Sequence, residues 1–331
     1  MVDRYLYKMP DGSIATQDGY LVKITQEEYD ACCCANMHIV GNRIGIDSVW
    51  KLKTSGISSW KHDTGATTNA IAIDPSKNVY VAGFRSGNKS AWKLNSAGGL
   101  VWDYDTGSNG EGIAVDVSGN VYVAGLRIGV PPKSAWKLNS AGGLVWDYDT
   151  GGSVWDIAAD SSGNVYLAGQ RPVIKSVWKL NSVGGLVWDY DTGAVNFGVA
   201  VDSGGNVYVA GTRSGNKSVW KLNSAGGLVW DYDTGAGTLG VAVDSGGNVY
   251  VAGFRSGNKS VWKLNSAGGL VWDYDTVNTA RGIENDNSMS VYVVGSRSGN
   301  KSAWKLNSAG GLVWDYDTGG LSRGTAVRSL N

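Results

Sequence analysis

The residues of this chain that could do chemistry recur at fixed spacing. An arginine stands two positions after each Val-Gly or Ala-Gly pair: Arg43, Arg85, Arg127, Arg171, Arg213, Arg255 and Arg297. An aspartate takes the last acidic place of each following segment: Asp63, Asp105, Asp149, Asp191, Asp233, Asp275 and Asp317. Guanidinium and carboxylate in such series can form bidentate pairs, or the arginines can hold carboxylate or sulfate groups of a glycan. Tryptophan comes in two series, with aromatic faces able to stack on a sugar or to fill a core. The parts of an enzyme are missing. There are two histidines, His38 and His62, and no nucleophile elbow, zinc motif or phosphate loop. Cys32, Cys33 and Cys34 are adjacent, which suits neither an ordinary disulfide nor a metal site with spaced ligands. The recurring D-x-x-G-N has one carboxylate where calcium loops carry several. No catalytic activity, metal or cofactor is expected.

The elements that must position these residues follow from a repeat. KSAWKLNSAGGLVWDYDTG occurs at 89–107 and returns unchanged at 133–151 and 301–319. One tryptophan series runs Trp50, Trp92, Trp136, Trp178, Trp220, Trp262, Trp304, and the other Trp60, Trp102, Trp146, Trp188, Trp230, Trp272, Trp314. The step is 42 residues, except for 44 between Trp92 and Trp136, where LRIGVPPKS is longer. One unit holds four apolar runs between turn signals, as in GVAV, NVYVAG, SVWKLN and LVWDYDT of 240–276. Seven units of four strands predict an all-β, seven-bladed β-propeller with antiparallel blades. The two inner strands read as buried on both faces. The turn SAGG predicts a hairpin closed by Gly98 in the left-handed region, with Trp92 opposite Trp102 and Leu94 opposite Leu100. The tryptophans Trp92, Trp102, Trp136, Trp146, Trp178, Trp188, Trp220, Trp230, Trp262, Trp272, Trp304 and Trp314 are then structural, packing blade on blade.

The first unit begins at Asn36 without its inner strand, and GTAV (324–327) follows the seventh WDYDTGG. The C-terminal strand should therefore complete the first blade and close the ring of 36–331. AIAIDPSKNVYVAG (70–83), VAVDSGGNVYVAG (241–253) and IAADSSGNVYLAG (157–169) resemble the seven-bladed β-propeller repeat family of bacterial proteins and are similar to NHL repeats. The resemblance implies a binding or scaffold module. The seventh copy, GIENDNSMSVYVVG (282–295), carries Glu284 and Asn285 where others have Ala and Val, which predicts a looser blade.

Up-and-down blades place the turns DSGGN and NSAGG on one side of the disc. The loops between second and third strands and the links between blades lie on the other side. The first set barely changes between copies. The second does: the links read GATTNA, GSNGEG, GGSVWD, GAVNFG, GAGTLG, VNTARG and GGLSRG. Such a variable face suits an asymmetric partner, with Trp155 and the arginines Arg85, Arg127, Arg171, Arg213, Arg255 and Arg297 as candidate contacts. His38 takes the place of a core tyrosine, and His62 that of Tyr104.

Residues 1–35 form a separate arm, with a hairpin around Pro10-Asp11-Gly12, a second turn at Asp18-Gly19 and a short helix over 26–33. The arm should leave on the constant face and dock the disc onto a partner. An arm before freshly copied repeats resembles small bacteriophage virion proteins. The 29 basic and 29 acidic residues cancel, which argues against nucleic-acid or anionic-membrane binding. The chain has no apolar run long enough for a membrane span and no signal-peptide pattern at its start. The expected partners are a protein assembly or a surface glycan, the expected place a virion or extracellular surface, and the oligomeric state that of the parent assembly. The alternative is a soluble multivalent lectin with similar pockets between blades.

Overall fold

The computed structural model describes residues 6–8, 14–16, 21–22, 36–44, 47–52, 58–129, 132–170 and 175–328. Seven antiparallel four-stranded sheets stand in a ring, six of them built from consecutive strands, and no helix occurs among the described residues. The second blade serves as pattern: Thr68–Ile73 innermost, then Val79–Ser86, Lys89–Leu94 and Leu100–Tyr104 at the rim. The first blade is completed by Ser322–Arg328, which pairs with Asn36–Ile44 in the register Thr325↔Ile39 and Val327↔Met37. The ring thus closes as the sequence leads one to expect. The rim strands keep one open edge each, with Leu100 and Val101 exposed.

Each described turn between first and second strands is held by its own aspartate. Asp116 Oδ1 accepts the backbone N–H groups of Ser118 and Asn120, while Oδ2 accepts Asn120 Nδ2 and the Tyr122 hydroxyl. Burial opposes ionisation of Asp116, yet these bonds hold its carboxyl below the usual range. Both oxygens are used within the turn, which gives the D-x-x-G-N signature a structural reason. In the outer hairpin Gly98 has φ +88° and Asn95 Oδ1 accepts the N–H groups of Ala97 and Gly99.

The hairpin register corrects one expectation. Leu94 does face Leu100, but a bulge at Val101 then sets Trp102 opposite Lys93 and Trp92 opposite Asp103. The extra residue sends the two indoles to opposite faces of the blade. Trp92 is 2% exposed and packs among Val40 and Val49 of the preceding blade. Trp102 lies over Gly142 of the following blade, and its Nε1 donates to the Ser140 carbonyl at 3.2 Å. A side chain at Gly142 would meet the indole at 3.1 Å, so glycine there lets the ring lie flat. The arrangement repeats at Trp146, Trp188, Trp230 and Trp272.

Two further expectations need correction. The second strands are buried over 79–83 and its counterparts, but the innermost strands are buried at only two or three positions each, because their other residues line a central channel. The seventh blade is no looser in its pairing: Ala280–Asn285 holds the same register as the rest, with Glu284 opposite Tyr292 and Asn285 opposite Val291. Glu284 lines the channel, so it displaces no apolar contact between sheets. Short strands Leu6–Lys8, Ile14–Thr16 and Leu21–Val22 form an antiparallel meander around the two expected turns. The turn residues, the expected helix over 26–33, Cys32–Cys34 and the exit of the arm lie outside the described residues.

Candidate functional site: the variable mouth of the channel

The seven innermost strands neighbour one another in a closed circle. Each starts at the variable face with a buried residue, and Thr68, Asn196 and Thr238 among these are anchored by their side chains to a backbone carbonyl. Thr68 Oγ1 donates to the Ser48 carbonyl at 2.7 Å, and Thr238 Oγ1 to that of Ser218 at 2.6 Å. The next residue is skipped by the ladder, since pairing jumps from Thr68 to Ala70 and likewise in all seven strands. A bulge re-aims its extra side chain, and here it turns seven of them to the channel. In ring order these are Arg323, Asn69, Glu111, Trp155, Phe197, Leu239 and Arg281. The third position is glycine in five copies, for a Cβ at Gly240 would stand 2.6 Å from the Arg281 carbonyl of the neighbouring strand. Asp156 departs from this. Its carboxylate spans to the next blade, accepting the Val199 N–H at 2.9 Å and its neighbour Ile157 N–H at 2.8 Å.

The ring encloses a cavity of about 480 Å³ whose wall has two unlike arcs. Trp155, Phe197 and Leu239 are consecutive and apolar, with the two aromatic rings tilted at 6.1 Å between centroids. Arg281, Arg323, Asn69 and Glu111 make up the polar arc. Asn69 Nδ2 donates to Glu111 Oε2 at 2.8 Å and to the Gly110 carbonyl at 3.0 Å. Arg323 is stacked over Phe84 and donates from Nε to Asn42 Oδ1 at 3.2 Å. Burial and the charge of Arg323 both push the Arg281 pKa down. Three buried polar atoms on this wall have no hydrogen-bond partner among the described residues: Asn69 Oδ1, Trp155 Nε1 and Arg281 Nε. Unmet buried groups cost about 1–3 kcal/mol each, which makes this wall the candidate site.

Three carboxyls share the channel, Glu111 in the ring and Asp156 and Glu284 further along their strands. Burial raises Glu111 to about 7, the attraction of Arg323 notwithstanding, and raises Asp156 to about 7 against its two backbone bonds. Glu284 rises to about 8, through burial first and the nearby Asp156 second.

The arginines expected to meet a ligand are already engaged. Arg85–Asp105, Arg127–Asp149, Arg213–Asp233, Arg255–Asp275 and Arg297–Asp317 are two-pronged pairs with both carboxylate oxygens at 2.5–2.9 Å. Their aspartates also cap the following turn, as Asp105 does for the Gly107 N–H. These pairs are exposed and contribute little stability singly. The side chains of Arg43 and Arg171 lie outside the described residues. Trp155 does not protrude from a link; it is the half-buried bulge residue of Val154–Ala159. The first tryptophan series is buried to within 4% and presents no face to a sugar. His38 lies at 5.7 Å from Trp60 in the blade core, opposite Lys51 as Tyr80 is opposite Lys93. Of these residues the sequence reading singled out Trp155 as a contact and Glu284 only as a departure from the repeat, and passed over the other six ring residues and Asp156. The signal was present as the fifth letter of each variable link.

No family model matches the chain, and no curated protein resembles it in sequence. Solved structures do resemble it. A functionally unknown protein from Desulfotomaculum acetoxidans DSM 771 superposes with TM-score 0.67 at 14% identity, over 89% of this chain and 99% of that one. The likeness is one of fold. Streptogramin B lyase gives 0.61 at 16% identity, covering 88% and 89%, and a Bacteroides caccae protein of unknown function gives 0.55 at 15%, covering 74% and 95%. The propeller architecture is thereby supported from outside the sequence, and the resemblance to particular repeat families rests on the quoted segments alone.

Proposed function

We propose that this chain is a non-enzymatic binding module that recognises an asymmetric ligand with its variable face, centred on the channel mouth. One observation carries the reading. The bulge position holds six residue types in seven copies, while the tryptophans and the Arg–Asp pairs around it scarcely change. A scaffold needs no such variety there, because the bulge side chains line the channel rather than the buried seams between blades. The test is a panel of glycans and small ligands screened by array and thermal shift. It compares the native chain with one whose ring is levelled to leucine, and with one altered at Lys179 and Ser224 on the constant face. Binding lost only in the levelled ring supports the reading, and binding lost only in the constant-face variant overturns it.

Repeated grooves favour a second reading, a multivalent lectin. One groove of about 400 Å³ lies between blades and is lined by Asp160, Tyr166, Lys179, Asp202 and Ser224, with like residues in the other blades. The same panel separates the two. Residues 1–35 stand outside the repeats and would attach the module to a larger assembly, a phage particle among them. Deleting residues 1–31 should leave the melting temperature unchanged and abolish co-sedimentation with that assembly; continued co-sedimentation refutes the attachment.

A further inference from the structure

We propose that the channel mouth binds an amphipathic anion: a carboxylate, sulfate or sulfonate held between Arg281 and Arg323, joined to an aromatic or aliphatic body against Trp155, Phe197 and Leu239. The inference rests on the reading of the variable face as the recognition surface and names its ligand. Two arginines side by side in a half-buried wall repel each other, and each loses hydration there. An anion between them removes both costs and accepts charge-assisted hydrogen bonds from guanidinium edges that face the cavity. Arg281 has the greater need, since its Nε meets no acceptor. Glu111 does not fill this role, because Asn69 holds it and its proton stays on until about pH 7.

Across the ring Trp155, Phe197 and Leu239 carry no charge, and their consecutive order makes one continuous, largely apolar wall. A cavity near 480 Å³ falls within the range that encloses a small organic molecule. Trp155 Nε1 can donate where the two arcs meet beside Glu111, and Asn69 Oδ1 can accept within the polar arc. Asp156 and Glu284 line the channel with Glu111. All three carboxyls lose their protons between about pH 7 and 8. An anion should therefore bind more tightly at pH 6 than at pH 9.

The probe is anilinonaphthalene sulfonate, titrated by fluorescence beside the uncharged N-phenylnaphthylamine of the same aromatic frame. The native chain should bind the sulfonate at one saturable site at least about tenfold more tightly than the neutral dye. Arg281→Gln with Arg323→Gln should erase that difference while leaving the neutral dye bound, which also shows that the pocket still forms. Arg281→Lys should retain part of it, and Trp155→Ala should weaken both dyes. Absence of saturable sulfonate binding, no preference over the neutral dye, or a preference that survives the double substitution would each overturn the proposal. If that happens while panel ligands still depend on the ring, the ligand class is wrong and the recognition surface stands. If panel ligands depend on the constant-face grooves, both fall.

Discussion

A chain lacking residues 322–331 is expected to lose its cooperative unfolding transition. The deleted segment is the innermost strand of the first blade, paired along its length with Asn36–Ile44. It also brings Ala326 into the core formed by Val40, Val49, Ile71 and Trp92. Thr325 Oγ1 donates to the His38 carbonyl at 3.1 Å. Backbone bonds contribute roughly 0.5–1.5 kcal/mol each, and apolar burial adds about 25 cal/mol per Å². The sum is on the order of 5–10 kcal/mol, comparable with the whole stability of a typical protein. The strand left behind offers an unpaired edge to other chains. Circular dichroism on heating should show no sharp transition, and size-exclusion chromatography should show association. A truncated monomer with an unchanged melting temperature would contradict the closure.

The second large effect is a loss of stability at alkaline pH that Glu284→Gln should reverse. Burial keeps Glu284 protonated in the fold until about pH 8 and Asp156 until about 7. The unfolded chain releases both protons near pH 4, so between these limits the folded state holds more protons. Stability from these groups is then complete below about pH 4 and is lost as the pH rises through 7 and 8. With about 1.4 kcal/mol per pH unit and some water in the channel, the loss by pH 9 is on the order of 2–4 kcal/mol for each carboxyl. The amide cannot ionise, so Glu284→Gln should melt several degrees above the native chain at pH 9 and close to it at pH 5. Removing its charge also eases ionisation of Asp156, which adds to the gain. Equal melting differences at the two pH values would show that Glu284 does not titrate in the fold.

The architecture was legible because its signals are local and repeated. A 42-residue period, turn residues at fixed offsets and a spare strand at the far end leave little room for another fold. The hairpin at Gly98 was equally readable, since only a left-handed residue closes that turn. What stayed hidden depends on bulges. The bulge at Val101 reverses the face of one tryptophan, and nothing in LVWDY announces it. The bulge after Thr68 turns Asn69 and its counterparts inward, so residues that look like link ends become the wall of a cavity. Trp155 was singled out for its rarity and placed on the surface for the same reason. The Arg series drew attention by regularity, yet the described arginines are engaged by their aspartates, and the proposed site lies where the copies differ.

The most direct measurement is a crystal structure with the tightest ligand from the panel bound. The account predicts that ligand in the channel mouth, between Arg281 and Arg323 on one side and Trp155 and Phe197 on the other. A ligand seated instead in the groove by Tyr166 and Lys179, with the mouth empty, would contradict it.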